Sequence, residues 1–503
     1  MVNYRELTNQ LVTKMKQEDE LRNKAYDRSW DLNAALIRVE MLHEQSLSSS
    51  GTNAVMDNAS LETEEEALDK LFQETALSPD MYNNIVHNPT GNDEITTIHA
   101  RAPRRGNIDY KMESYARYKS VRHYLAGNCG LLSPNAPCFS GGERNILTDE
   151  EYLGGACIGL CHDLSKIAVT RASNAMSDPT AVQFVQDARD TVSNILQELL
   201  EFDWRNSPLR RKYDSTKYAL KRLETVLYEL NVAGALGGQQ ILKSEEGGPK
   251  KRIKMDGENG EVTEECKDEE MDTSASALET FKKEIGEIKE RMDHRDKLRE
   301  NLIKTSRDAQ KCAKNAIFSL HRNNTKSAAK LLQDCENCVR NDLLPIVQEE
   351  PTLRGGSFSN VLEEYVEGKL FYCWLHGNGE EECSDNNMPA GKILMFDEIN
   401  LPITVDEYIG GLCDVTGEIG RFAVARGTVR DKKSVSLCLE TSKNIMMAIR
   451  MAGKLPGNIN KKMNPLQKTV EKMETLLYEQ SLMEMAGRKF ESSMEQGGID
   501  AEE

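Results

Sequence analysis

The chain repeats itself. "EEYLGG" at 150–155 recurs as "DEYIGG" at 406–411, "IAVTRA" from Ile167 recurs as "FAVARG" from Phe422, and "LETVLYE" from Leu223 recurs as "METLLYE" from Met473. The separations are 256, 255 and 250 positions. Three matches in one order at nearly constant spacing predict two copies of a single supersecondary design. Any fold proposed for one half must therefore also serve the other.

The design is helical. "LVTKMKQEDELRNKAYDRSWDLNAALIRVEMLHEQ", "ALETFKKEIGEIKERMDHRDKLRENLIKTSRDAQKCAKNAIFSLHR" and "NPLQKTVEKMETLLYEQSLMEMAGRKF" place apolar residues three and four apart with Glu, Lys and Arg between them. Convincing strand alternation is absent, so the expected class is all-α, with two tandem antiparallel helical bundles. The stretch 237–276 interrupts the pattern with a Gly-rich, then basic, then acidic composition that has little to bury, and is expected to be a disordered linker. This gives a first helical domain over 1–236, a second over 277–487 and a disordered acidic tail over 488–503. Within the linker, "PKKRIK" from Pro249 to Lys254 resembles a nuclear-import signal, with a solvated basic patch as the alternative. A net charge of −18 argues against a general basic coat for nucleic acid. No run approaches a membrane span, so a soluble intracellular protein without a membrane partner is expected. The 12 scattered cysteines suit reduced thiols, and the lone Cys335–Cys338 pair suits packing better than zinc.

The copies differ in charge at one place. "SNVLEEYVEGKLFYCWLHG" is apolar around most of its helical wheel, yet it carries Glu364 and Glu367 at i and i+3. "EYIGGLCDVTGEIGR" likewise carries Asp414 and Glu418 at i and i+4. In the first copy Ser114 falls opposite Glu364, Arg117 opposite Glu367, Gly159 opposite Asp414 and Asp163 opposite Glu418. One copy keeps four acids where the other keeps one. Four carboxylates on two buried helices cannot all stay charged without a counter-charge. Oxygen donors with no His or Cys beside them favour Mg²⁺, or Mn²⁺, over zinc. Such an ion promotes in-line attack on a phosphodiester, so the expected chemistry is phosphodiester hydrolysis.

Other readings accompany this one. Each acid pair alone could be a solvated face, and Glu363, about 100° round from Glu364, is expected at the surface. Glu418 could instead belong to a salt-bridge network with Arg421. His321 could act as a base or simply be hydrogen-bonded at its helix end, and His162, Cys157 and Cys161 suit packing better than metal ligation.

These residues resemble the translin family. "PLRRKYDSTKYALKRLETVLYELNVAG" and "DLSKIAV" in the first copy resemble translin, whereas "ERMDHRDKLRENLIKTSRDAQKCAKNAIFSLHR", "LEEYVEGKLF" and "DEYIGGLCDVTGE" in the second resemble translin-associated factor X. The chain thus looks like the two proteins fused end to end. The resemblance implies a hollow helical assembly that binds single-stranded RNA and DNA, and a Mg²⁺-dependent endoribonuclease acting in RNA silencing and on tRNA fragments. It carries the catalytic and metal positions onto Glu364, Glu367, Asp414 and Glu418. It also implies both nuclear and cytoplasmic residence, contact with the silencing machinery and, for a fused chain, four copies forming an eight-unit shell. For nucleic-acid binding the first copy offers Arg101, Arg104, Arg105, Lys111, Arg117, Lys119 and Arg122, interleaved with Tyr110, Tyr115 and Tyr118, and the second copy adds Arg421. The competing reading of that stretch has the tyrosines in the helical core. The rival function is a non-catalytic single-strand-binding assembly with structural acids.

Overall fold

The computed structural model describes residues 4–48, 52–82, 104–127, 131–141, 145–173, 180–205, 207–232, 268–377 and 388–497. Among these there is no strand beyond two isolated bridges. The helices are α1 (Tyr4–Ser48), α2 (Thr52–Leu77), α3 (Ile108–Leu125), α4 (Asp149–Tyr152), α5 (Leu160–Ala172), α6 (Thr180–Leu199), α7 (Arg210–Val232), α8 (Asp268–His321), α9 (Thr325–Cys338), α10 (Leu344–Glu349), α11 (Ser357–His376), α12 (Val405–Thr428), α13 (Lys432–Met451) and α14 (Gly457–Gly497). A π-helical turn, Leu153–Gly159, joins α4 to α5. The all-α, two-bundle expectation holds. The basic PKKRIK segment and Arg101 lie outside the described residues. Helix α8 begins at Asp268 and α14 continues to Gly497, so part of the expected linker and part of the expected tail are helical.

The compact units are not the two sequence halves. Among the described residues, one holds those of 26–79 and 106–296, and the other those of 1–25, 80–105 and 297–503. Helices α1 and α8 are divided between them. Leu7, Leu11 and Met15 at the start of α1 belong to the same buried cluster as Leu362, Val366 and Ile419 of the second copy. Within the other unit, the first described turns of α8 bury Phe281, Ile285 and Ile288, and Arg291 donates to Asp149 at 2.6 Å. A continuous amphipathic helix keeps its apolar stripe beyond the end of one bundle, so its turns can belong to two cores.

The repeated segments do the same work in both units. Thr148 and Thr404 each cap a helix, accepting from the backbone N–H of Glu151 and Glu407, whose carboxylates accept in return from the backbone N–H of the threonines. The tyrosine that follows each glutamate is buried and donates to a loop carbonyl, Tyr152 to Leu132 at 2.8 Å and Tyr408 to Leu394 at 2.6 Å. The paired glycines then let two helices touch. A Cβ on Gly411 would stand 2.5 Å from Val366 Cγ1 and 3.2 Å from the backbone nitrogen of Glu367, and a Cβ on Gly155 would strike the carbonyl oxygen of Glu113. This close approach sets α11 against α12 and α3 against the π turn. We expect Gly411→Ala to lower stability by about 1–3 kcal/mol in urea denaturation, the usual effect of overpacking a tight contact. Gly417→Ala, where an added Cβ meets nothing within 4 Å, should be neutral or stabilising by up to ~1 kcal/mol.

Candidate acidic centre

Helices α11 and α12 bring the second copy's four acids together. Burial and the charges of Asp414, Glu418 and Glu364 push the Glu367 carboxyl up to about 8, with Lys462 opposing them. Glu367 makes no ion pair among the described residues. Its three neighbours do. Glu364 Oε1 lies 3.2 Å from Lys314 Nζ of α8. Asp414 accepts from Lys462 of α14. Glu418, 6% exposed, meets His321 Nε2 at 2.7 Å and Arg421 Nη1 at 2.8 Å. His321 also packs against Phe371, with ring centroids 4.9 Å apart.

Glu363 does not sit at the surface as its place on the wheel suggested. Its side chain is half-buried and shares Lys462 with Asp414, and burial raises its pKa while the lysine opposes the rise. The physical reason is that α11 is enclosed on most sides, so a 100° rotation from Glu364 leads to another helix instead of to water. Two participants, Lys462 and Lys314, were not found from the sequence. A signal for Lys462 existed. It stands as far before "METLLYE" as Lys212 stands before "LETVLYE", and Lys212 pairs with Glu113 in the first copy.

The first copy is neutralised at the corresponding positions. Arg117, opposite Glu367, forms a bidentate pair with Asp163, opposite Glu418, with Nη2 donating to Oδ1 at 2.6 Å. A charge-matched pair thus replaces a repelling one. His162 meets Ser215 at 3.1 Å. The cysteines named above are free thiols, and burial pushes Cys157 and Cys335 up to about 12, as packed thiols behave.

The expected basic stripe of the first copy is largely turned inward. Arg104 is 2% exposed, beneath the Tyr82 ring, and Arg105 is buried and donates to Glu18 at 2.7 Å. These two are therefore corrected to interior residues. Lys111 donates to Asn33 at 2.7 Å, Lys119 pairs with Asp69 at 2.7 Å, and Arg122 pairs with Glu65 at 2.7 Å. Tyr115 and Tyr118 are core residues whose hydroxyls bond Asp69 and Glu65. Tyr110 remains 60% exposed, with Lys111 and Lys212 over its ring at 5.5 and 6.0 Å, and the Arg117 and Arg421 side chains stay well exposed. The spacing that interleaves Tyr with Arg also describes a helix with an aromatic core face and cations paired along its margins.

Whether this centre suits a hard cation depends on its donors. No group of three or more His, Cys, Asp or Glu side chains is set to enclose a metal among the described residues. A full protein cage is therefore not what the cluster offers. Mg²⁺ needs less, commonly taking one or two carboxylates and keeping its waters. Glu367, partly buried and without an ion pair among the described residues, stands among three other acids, and this oxygen-only donor set matches such an ion by donor type.

Two tandem all-helical bundles, one carrying a buried acidic centre and the other its neutralised counterpart, define the class. The Translin family model matches residues 105–234 and 297–484, more than half of the sequence, and the chain belongs to that family. It is similar to a Translin-associated protein X homolog from Schizosaccharomyces pombe (strain 972 / ATCC 24843), with 26% identity over 200 residues, 37% of this chain and 82% of that protein. Solved structures with some likeness are an AfC3PO–duplex RNA complex (18% identity, TM-score 0.34, 40% of this chain and 98% of that chain) and AfC3PO alone (19%, 0.34, with the same coverage). The apo form of NeC3PO is similar at 16% identity and TM-score 0.34, over 39% of this chain and 96% of that chain. No helix among the described residues is long and apolar enough to cross a membrane.

Proposed function

We propose that the protein binds single-stranded RNA and DNA and cleaves single-stranded RNA as a Mg²⁺-dependent endoribonuclease, with the second copy cutting and the first helping to bind. The observation that carries this reading is the placement of Glu367, without an ion pair among the described residues, beside Glu364, Asp414 and Glu418. Glu367 and Asp414 would hold the ion, with Glu364 and Glu418 at its margins; Mn²⁺ is expected to substitute for Mg²⁺. When bound, the ion would supply an activated water and charge stabilisation at the phosphodiester. His321 and Arg421 fix Glu418, and Lys314 fixes Glu364, so both carboxylates are held in place. In the first copy the exposed Arg117, with Tyr110 as a stacking face, is proposed to meet a strand, and in the second, separately, the exposed Arg421. All five cations, Lys111, Arg117, Lys119, Arg122 and Arg421, would need to exchange internal partners for phosphate, and roles in silencing, tRNA fragment processing and a four-chain shell belong to the same proposal.

One observation favours the rival reading. Every acid of the cluster except Glu367 has a lysine or arginine partner in the fold, as a structural network would. A labelled single-stranded RNA separates the two. Cleavage should require Mg²⁺ and stop with EDTA, whereas a non-catalytic binder would retain the RNA uncut in both conditions.

A further inference from the structure

We propose that Lys462 is a displaceable counter-ion. Its ammonium group holds Asp414 and Glu363 in place of a divalent ion and must leave Asp414 before that ion binds, so it sets the ion concentration the centre requires. The inference rests on the cation-dependent reading above and adds a regulator of the same site.

Three observations support it. First, the lysine reaches from the start of α14 to carboxylates on two other helices, Glu363 of α11 and Asp414 of α12. An ammonium group and a divalent ion at one carboxylate repel each other, so the two occupants are in competition. Second, the Lys462 side chain is 29% exposed and sits on a flexible four-carbon stem, so it has a route to solvent that a buried arginine fork would lack. Third, the first copy contains the corresponding lysine without the competition. Lys212 pairs with Glu113, and Gly159 stands where Asp414 would be. The remaining charges there are matched by the Arg117–Asp163 pair. Lysine is thus a constant partner of the glutamate in both copies. Only in the second does it also hold an acid that the proposed chemistry needs.

The test is Mn²⁺ binding to the full-length protein, read by electron paramagnetic resonance of the free ion. Removing an opposite charge within ~4–6 Å changes a carboxylate's affinity for a proton by roughly 10- to 1,000-fold. Lys462→Gln should accordingly bind Mn²⁺ about tenfold or more tightly than wild type. Lys462→Met, which keeps the volume of the stem, should behave alike if the glutamine variant does not fold. Lys462→Arg, keeping the charge on a fork that is harder to displace, should bind Mn²⁺ no more tightly than wild type, and Lys212→Gln should change nothing. A folded Lys462→Gln or Lys462→Met protein that binds Mn²⁺ no more tightly than wild type, while wild type does bind it, overturns the counter-ion assignment alone. Absence of Mn²⁺ binding from wild type and all variants overturns the cation-dependent centre, and this inference with it.

Discussion

Glu367→Ala and Asp414→Ala should each reduce cleavage of single-stranded RNA by about 1,000-fold or more while leaving RNA binding largely intact. The magnitude follows from the several kcal/mol that a bound cation contributes to a phosphoryl transition state, which corresponds to that factor in rate. The separation of effects follows from the division of labour between copies. The exposed Arg117 and Tyr110 lie on α3, whereas the acids lie on α11 and α12, and Arg421 of α12 pairs with Glu418, which both variants keep. Single-turnover cleavage and filter binding, run on the same preparations, read the two quantities independently. Equal losses of binding and cleavage would indicate damage to the fold, and undiminished cleavage by both variants would remove the acids from the chemistry.

The same glutamate should make the metal-free protein less stable as pH rises. Its folded-state pKa is raised from 4.5 to about 8, so between those values the folded chain holds a proton that the unfolded chain has released. The stability present below pH 4.5 is therefore lost progressively as pH climbs through about 8. The full gap would correspond to about 5 kcal/mol, and partial access to water reduces this to ~1–3 kcal/mol. Glu367→Gln cannot release a proton and should flatten that part of the profile, melting above wild type at pH 8 while lacking activity. Thermal melts from pH 5 to 8 in EDTA provide the check. Parallel profiles for the two proteins would mean that Glu367 is not under the strain described.

Much of the architecture was legible because the sequence states it twice. The capping glutamates, the buried tyrosines and the glycine pairs recur as short strings, and the structure gives each pair the same task. Glu364, Glu367, Asp414 and Glu418 were legible for a different reason: charge on an otherwise apolar helix is conspicuous. Partners were harder to read. A helical wheel gives the face on which Glu363 lies, but it does not say which helix covers that face, and so Lys462 was missed. The basic stretch from Arg104 to Arg122 was ambiguous for a related reason. An alternation of tyrosine and arginine fits a strand-binding surface and a core margin equally well, and only the placement of Asp69 and Glu65 decides between them. The division of α1 and α8 between units left no mark in periodicity, since an apolar stripe continues unchanged whichever core receives it.

The claim on which the rest depends is that the Glu367 cluster exchanges a proton for a hard cation. Calorimetric titration of Mn²⁺ into the metal-free protein at pH 7, repeated in buffers of different ionisation enthalpy, measures that exchange directly. We expect close to one proton released per bound ion in wild type, and binding that is both weakened and without proton release in Glu367→Gln. Mn²⁺ binding of equal strength in the two proteins, or none in wild type, would contradict it.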